Sequence, residues 1–298
     1  MAQVITSVDQ LNFDISELET MPVPHKVMLV KPTYFSVEYV INPHMEGNIG
    51  EVDKLAAFNE WNHLKNAYEE QGLHTHVLEG VRGFPDMVFC ANQSLPNITA
   101  DGKKQVIMSV MHAEPRKGEV SYIQKNYEES VYEIVHLDES KFKEFEGMGD
   151  AIWHNKRRLL WGGFGYRSSP EVYHYISEIF KTPVIALQLV NEKFYHLDTC
   201  LCILNEDTAM FYPGAFSDEA TALIRAVFKN VIEASKYEAE NLFACNATSV
   251  DGKNVFIQQG CVDVNHKLKA AGFNVHEFST YEFLKSGGSV FCMKMMLW

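Results

Sequence analysis

An apolar run bearing a single acid, amide or thiol returns along this chain at Asp86, Asp150, Asp198, Asn246 and Cys292, with spacings of 64, 48, 48 and 46 residues. Each run opens the same succession of a turn, a second apolar stretch, a helical stretch and a third apolar stretch. The turns fall at Asp101-Gly102, His154-Asn155-Lys156, Asn205-Glu206-Asp207 and Asp251-Gly252. Second strands are predicted over 105–111, 159–162, 209–212 and 255–258. Third strands are predicted over 131–137, 184–189 and 274–278, and residues 218–237 read as one helix. The last run, 287–297, has no turn or second strand after it. The N-terminal part supplies what is missing: a strand over 26–31, a helix over 53–71 and a strand over 73–78. In that helix Leu55, Phe58, Trp61, Leu64 and Tyr68 recur three to four apart, which is the period of one helical face, and Gly72 stands where a C-terminal cap belongs. The two chain ends therefore complete one unit between them. A unit of this size cannot bury its own apolar face, and five of them predict a ring closed on itself. The expectation is one α/β domain over residues 1–298, with a polar lead-in over 1–25.

The formal charge is −13, with no basic cluster. That argues against nucleic acid or an anionic membrane as partner and is compatible with a small cationic ligand. No apolar run approaches the ~18 residues of a membrane-spanning helix. Residues 1–21 carry four acids and no Lys or Arg, unlike a secretory or transit leader. Six cysteines in a chain this long do not make a disulfide framework. The expected setting is a reducing cytoplasm, and a homo-oligomer is left open.

In a ring, equivalent positions converge on the axis. Asp86, Asn92, Glu146, Asp150, His196, Asp198, Asn246 and Cys292 cluster around the first strands of successive units. Singly, each has an ordinary structural explanation. Several acids inside apolar strands are expensive unless paired, and together they imply a shared cationic ligand. A guanidinium fits, being planar and rich in N–H donors that carboxylates accept in pairs. Its carbon becomes electrophilic when a thiolate stands over it and an acid serves the leaving amine. Cys292, His196 and the acids form such a set. No metal and no cofactor are expected: His196-x-Asp198 and Cys200-x-Cys202 lack the spacing of zinc sites, and no Gly-x-Ser-x-Gly elbow occurs.

These residues resemble the guanidino-group-modifying enzymes of the pentein fold, which include arginine deiminases, dimethylarginine dimethylaminohydrolases and amidinotransferases. The resemblance runs from about Lys26 to the end. It rests on Ile41-Asn42-Pro43, Phe89-Cys90-Ala91-Asn92, Phe145-Glu146-Gly147-Met148-Gly149-Asp150, Gly165-Tyr166-Arg167-Ser168, His196-Leu197-Asp198, Phe243-Ala244-Cys245-Asn246 and the Gly287–Cys292 loop. The first two stretches are most similar to arginine dihydrolases, which take arginine to ornithine, ammonia and carbon dioxide. The resemblance implies a five-bladed pseudo-symmetric α/β propeller. It implies Cys292 as nucleophile, His196 as general acid and base, and Glu146 as the acid that orients histidine and guanidinium. Asp86 would bind the guanidinium, supported by Asp198 and Asp150, while Arg167 and Arg116 would hold the substrate carboxylate. Asn92 and Asn42 match pocket asparagines. The departures are His44 for the family's tryptophan and Cys90 for its threonine, which bear on pocket shape more than on chemistry. Alternatives within the class are a dimethylarginine hydrolase or deiminase stopping at citrulline, and an amidinotransferase; outside it stands a non-catalytic binder. Residues 36–50 are the expected lid.

Overall fold

The structure is a computed structural model that describes residues 2–298. Its strands form five separate mixed sheets that share one plan. In each, a first strand runs antiparallel to a second, and the second runs parallel to a third. These are Ser94–Ile98, Lys104–Met108 and Glu133–Val135; Ala151–Trp153, Leu160–Phe164 and Pro183–Gln188; Leu201–Ile203, Thr208–Phe211 and Asn230–Glu233. The fourth has Thr248–Ser249, Asn254–Gln258 and Asn274–Phe278. The fifth joins the two ends of the chain: Met295–Leu297 pairs with Lys26–Val30, which pairs with His74–Leu78.

Parallel neighbours need a crossover, and each sheet has a helix between its second and third strands. These helices are Glu119–Glu129, Val172–Phe180, Asp218–Val227, Val262–Ala270 and Lys54–Glu70. Among the described residues no helix is long and apolar enough to cross a membrane. All six cysteines are free and buried.

Four sequence expectations need correction. The helix expected over 218–237 is two helices with a strand between them. Phe228 leaves the first in an extended conformation, Asn230–Glu233 pairs with Thr208–Phe211, and Ser235 caps Lys236–Leu242 by accepting from Glu238 N. The buried face of Lys54–Glu70 is Ala57, Trp61, Leu64, Ala67 and Tyr68, leaving Leu55 70% and Phe58 40% exposed. Small Ala57 and Ala67 bring the helix close to its neighbours, which rotates the stripe away from those two residues. The lead-in also contributes structure, since Gln3–Ile5 adds a fourth, parallel strand beside Pro183–Gln188.

The correction that matters most concerns the recurring polar residues. They are not inside the first strands but in helical turns and loops before them. Asp86 lies in Pro85–Val88, Asp150 ends Gly147–Asp150, and Asp198 lies in Leu197–Thr199; Asn246 and Cys292 occupy turns. A strand interior would leave a carboxylate facing apolar neighbours. A turn at the strand entry supplies backbone N–H groups and hydroxyls to receive it.

Candidate active site

The turns that carry Asp86–Asn92 and His196, the 41–45 segment and the Ser286–Cys292 loop meet at one small cavity. Cys292, His196, Asp86, Asn92, Asn42, Arg116 and Arg167 line it. Glu146, Asp198 and Asp150 lie behind that layer, fully buried.

The Cys292 thiol donates to Asp198 Oδ2 at 3.1 Å and receives Asn246 Nδ2 at 3.1 Å. Asn246 also fixes the loop that carries the thiol. Its Nδ2 donates to Asp198 O, and its Oδ1 accepts from the backbone of Ser289 and Cys292. Burial, and then the neighbouring Asp198 charge, push the thiol well above its ordinary range. Burial likewise pushes Asp198 up to about 7, with the thiol hydrogen bond opposing it. Its other oxygen, Oδ1, is buried with no donor.

His196 is held from both sides. Its Nε2 is 2.6 Å from Glu146 Oε2, and its Nδ1 is 3.5 Å from Asn92 Nδ2. Arg116 Nη1 donates to Asn92 Oδ1 at 2.8 Å, which turns the amide nitrogen toward the ring. Nδ1 is then the acceptor, and Nε2–H donates to Glu146. Glu146 Oε1 receives His112 N at 2.9 Å, and Oε2 lies 3.4 Å from Arg167 Nη1. Burial alone would raise the Glu146 carboxyl. The hydrogen bond and charge of His196, with Arg167 and Arg116, hold it well below the usual range.

Asp86 receives Tyr39 OH at 2.7 Å on Oδ2 and Ser286 Oγ at 2.8 Å on Oδ1; burial raises its carboxyl against these donors and Arg116. Arg167 lies over the Tyr195 ring at 4.8 Å and donates to Ile41 O at 2.6 Å. Asn42 pins the loop above the cavity, accepting from His44 N and donating to Ser286 O. Of residues 36–50, Ile41, Asn42 and Met45 line the cavity. His44 Nε2–H donates to Lys193 O, and the ring packs on Phe243, outside the lining.

Two residues sit otherwise than expected. Arg116 spends its donors on protein groups: Glu119 in bidentate fashion, Asn92, and the carbonyls of Asp86 and Phe89. Its geometry braces the Asp86 turn and Asn92. Asp150 does not reach the cavity; it accepts from Ser168 Oγ at 2.7 Å and Leu197 N at 3.1 Å, fixing the backbone beside His196. Conversely, Tyr39, Ser286 and Tyr195 belong to the site without having been singled out. Asn246 was visible as the fourth recurring position, but its contact with sulfur was not.

Two glycines permit this packing. Gly287 has φ +84°, and a Cβ there would lie 2.8 Å from both Asn42 Oδ1 and Tyr195 OH. The close approach serves the covering loop and Tyr195, whose hydroxyl donates to Gly287 O. Gly147, beside Glu146, has φ +51°, and a Cβ would meet Ser94 backbone atoms. Gly147→Ala is expected to cost about 2–4 kcal/mol of unfolding free energy from overpacking plus left-handed strain, read by denaturant titration.

The family model for N,N dimethylarginine dimethylhydrolase, eukaryotic, matches residues 36–298. The bifunctional arginine dihydrolase/ornithine cyclodeaminase ArgZ of Synechocystis sp. is 35% identical over 274 residues, 91% of this chain and 37% of that protein. The N(G),N(G)-dimethylarginine dimethylaminohydrolase of Mycobacterium tuberculosis is 32% identical over 271 residues, 91% of this chain and 85% of that protein. Among solved structures, the N-terminal domain of ArgZ bound to substrate superposes with a TM-score of 0.84 at 32% identity, covering 91% of this chain and 97% of that one. The chain spans little more than a third of the length of the bifunctional relatives.

Proposed function

The chain belongs to the N,N-dimethylarginine dimethylhydrolase family, and from that premise we propose that it hydrolyses the guanidino group of L-arginine twice, yielding ornithine, ammonia and carbon dioxide. The five sheets are read as the blades of one ring, in a single catalytic domain over 1–298 with the cavity on its axis. Similarity to an arginine dihydrolase over 91% of the chain supports the substrate.

In this reading the guanidinium enters between Asp86 and Asp198, whose bare Oδ1 accepts an N–H. The arriving cation offsets the burial and anionic neighbour that hold the thiol neutral, so as substrate binds Cys292 gives up its proton, which passes to the free Nδ1 of His196. Thiolate attacks the guanidino carbon, and protonated His196 hands a proton to the departing ammonia. His196 Nδ1 then takes a proton from water, which adds to the amidino-thioether carbon; the C–S bond breaks and citrulline forms. In the second cycle sulfur attacks the ureido carbon and ammonia leaves again. Water cleaves the resulting thiocarbamate to a carbamate, which loses carbon dioxide to leave ornithine. Arg167 holds the substrate carboxylate, and Arg116 positions Asn92.

One observation carries the preference for two cycles. Because Arg116 holds Asn92 Oδ1, the Asn92 nitrogen is left as the donor, directed at His196, on a residue that lines the cavity. A ureido oxygen needs a donor there, and a carboxylate would repel its lone pairs. Asn92→Asp is expected to leave citrulline as the accumulating product, with ornithine formation down roughly 10- to 100-fold, the worth of one lost buried hydrogen bond of about 1.5–3 kcal/mol. Chromatography of the products of arginine checks it; ornithine made at an unchanged rate overturns it. The family model's match favours dimethylarginine hydrolysis as a second reading, which release of dimethylamine from dimethylarginine would establish.

A further inference from the structure

Phe291 and Lys294, which flank Cys292 in the chain, line a second cleft that shares no lining residue with the catalytic cavity. Its walls are the bodies of the first strands Ala151–Trp153, Leu201–Ile203, Thr248–Ser249 and Met295–Leu297, closed by the segment Met21 to Pro24. His196 and Cys292, in the turns that enter Leu201–Ile203 and Met295–Leu297, line the catalytic cavity, so for these two segments cleft and cavity occupy successive stretches of chain.

Lys294 is only 1% exposed and contributes to the cleft wall. Its Nζ lies 3.3 Å from the Phe291 ring centroid, and among the described residues it has no ion pair and no hydrogen bond. No Asp or Glu side chain lines the cleft, and the other cation there, Lys156, adds to the positive field. His154 is already committed, its Nε2 to Glu206 O and its Nδ1 to Trp161. Burial depresses the Lys294 amine to about 8. The charge of the nearby Asp198 opposes that depression, but the ammonium touches only a ring face, so its N–H donors stay unspent at the wall of an apolar cleft and can meet an anion.

We propose that this cleft is a second ligand site, taking a compact organic carboxylate whose anionic group meets Lys294 and whose apolar body packs on Phe291, Trp153 and Trp298. A guanidino cation is disfavoured there by Lys294 and Lys156, which separates the ligand class from that of the catalytic cavity.

Calorimetric titration of the full chain with 2-naphthoate and its uncharged isostere 2-naphthamide tests the site. Naphthoate is expected to bind at least tenfold more tightly. Lys294→Met is expected to bring the two within about twofold while preserving amide binding, which shows that fold and cleft persist. Val23→Trp, at a partly exposed position on the rim, is expected to block both probes with the melting temperature held. Equal affinities in the unmodified protein, no binding of either probe, naphthoate binding that survives either substitution, or its displacement by arginine would each overturn the proposal.

Discussion

Cys292→Ala is expected to abolish arginine turnover, by roughly 10⁴-fold or more in kcat, while the protein stays folded and still binds arginine. Removing the nucleophile of a covalent mechanism leaves no parallel route, and losses of this order or larger are usual for such residues. The structure explains why binding should survive. The thiol proton occupies Asp198 Oδ2, so truncation frees a second acceptor on the carboxylate proposed above to receive the guanidinium. Asn246 keeps three of its four contacts, those to Asp198 O and to the backbone of Ser289 and Cys292, so the loop stays in place. Calorimetry with arginine and a product assay separate the two effects. Surviving turnover would exclude thiolate chemistry.

The second large effect is expected at Glu146, with Glu146→Gln lowering kcat by about 10³- to 10⁴-fold, the size of loss seen when a histidine's carboxylate partner becomes an amide. The Gln oxygen would stay with His112 N, which places the amide nitrogen against His196 Nε2 and Arg167 Nη1, both donors. Flipping the imidazole tautomer would only move the conflict to the other side, where the Asn92 nitrogen points at Nδ1. The same carboxylate has a stability signature. Its folded pKa is depressed below the ordinary 4.5, so it stabilises the fold above that value and the contribution is lost as pH falls further. The stability gap between the unmodified protein and Glu146→Gln is therefore expected to be large at pH 7 and to narrow below about pH 4.5. Denaturant titrations at two pH values measure it; a pH-independent gap would contradict it.

The repeat was legible because each unit spells its own strands, turn and helix, and because the nearly constant spacing from Asp150 to Cys292 identifies equivalent positions without a structure. Asn230–Glu233 escaped notice because its short apolar pair, Val231 and Ile232, lies between two helical stretches whose period runs through it. Placing acids inside apolar strands was the wrong local picture, since Asp86, Asp150 and Asp198 need the donors that a turn provides. The candidate site was legible as a set of residue types. Its layering was not: whether Arg116 faces a ligand or braces Asn92 depends on Glu119, and nothing in the spacing of that pair reveals burial at 4% and 0% exposure. Tyr39 and Ser286 were invisible because their function is to meet Asp86 across chain separations of 47 and 200 residues.

The sheet shared by the two chain ends bears on how the molecule is assembled in time. Met295 pairs with Met28, so the segment that positions the thiol is secured by a contact spanning nearly the whole polypeptide. Such a contact carries the largest loop-closure entropy in the fold and is slow to form relative to the local helices and hairpins. During refolding the three-strand units of the other four sheets can form from nearby segments, leaving only the Gln3–Ile5 strand to be added from afar, while Cys292 is still adrift. Assembly of the site is thus a late event in folding: no species lacking the sheet shared by the two chain ends brings sulfur, imidazole and carboxylates together.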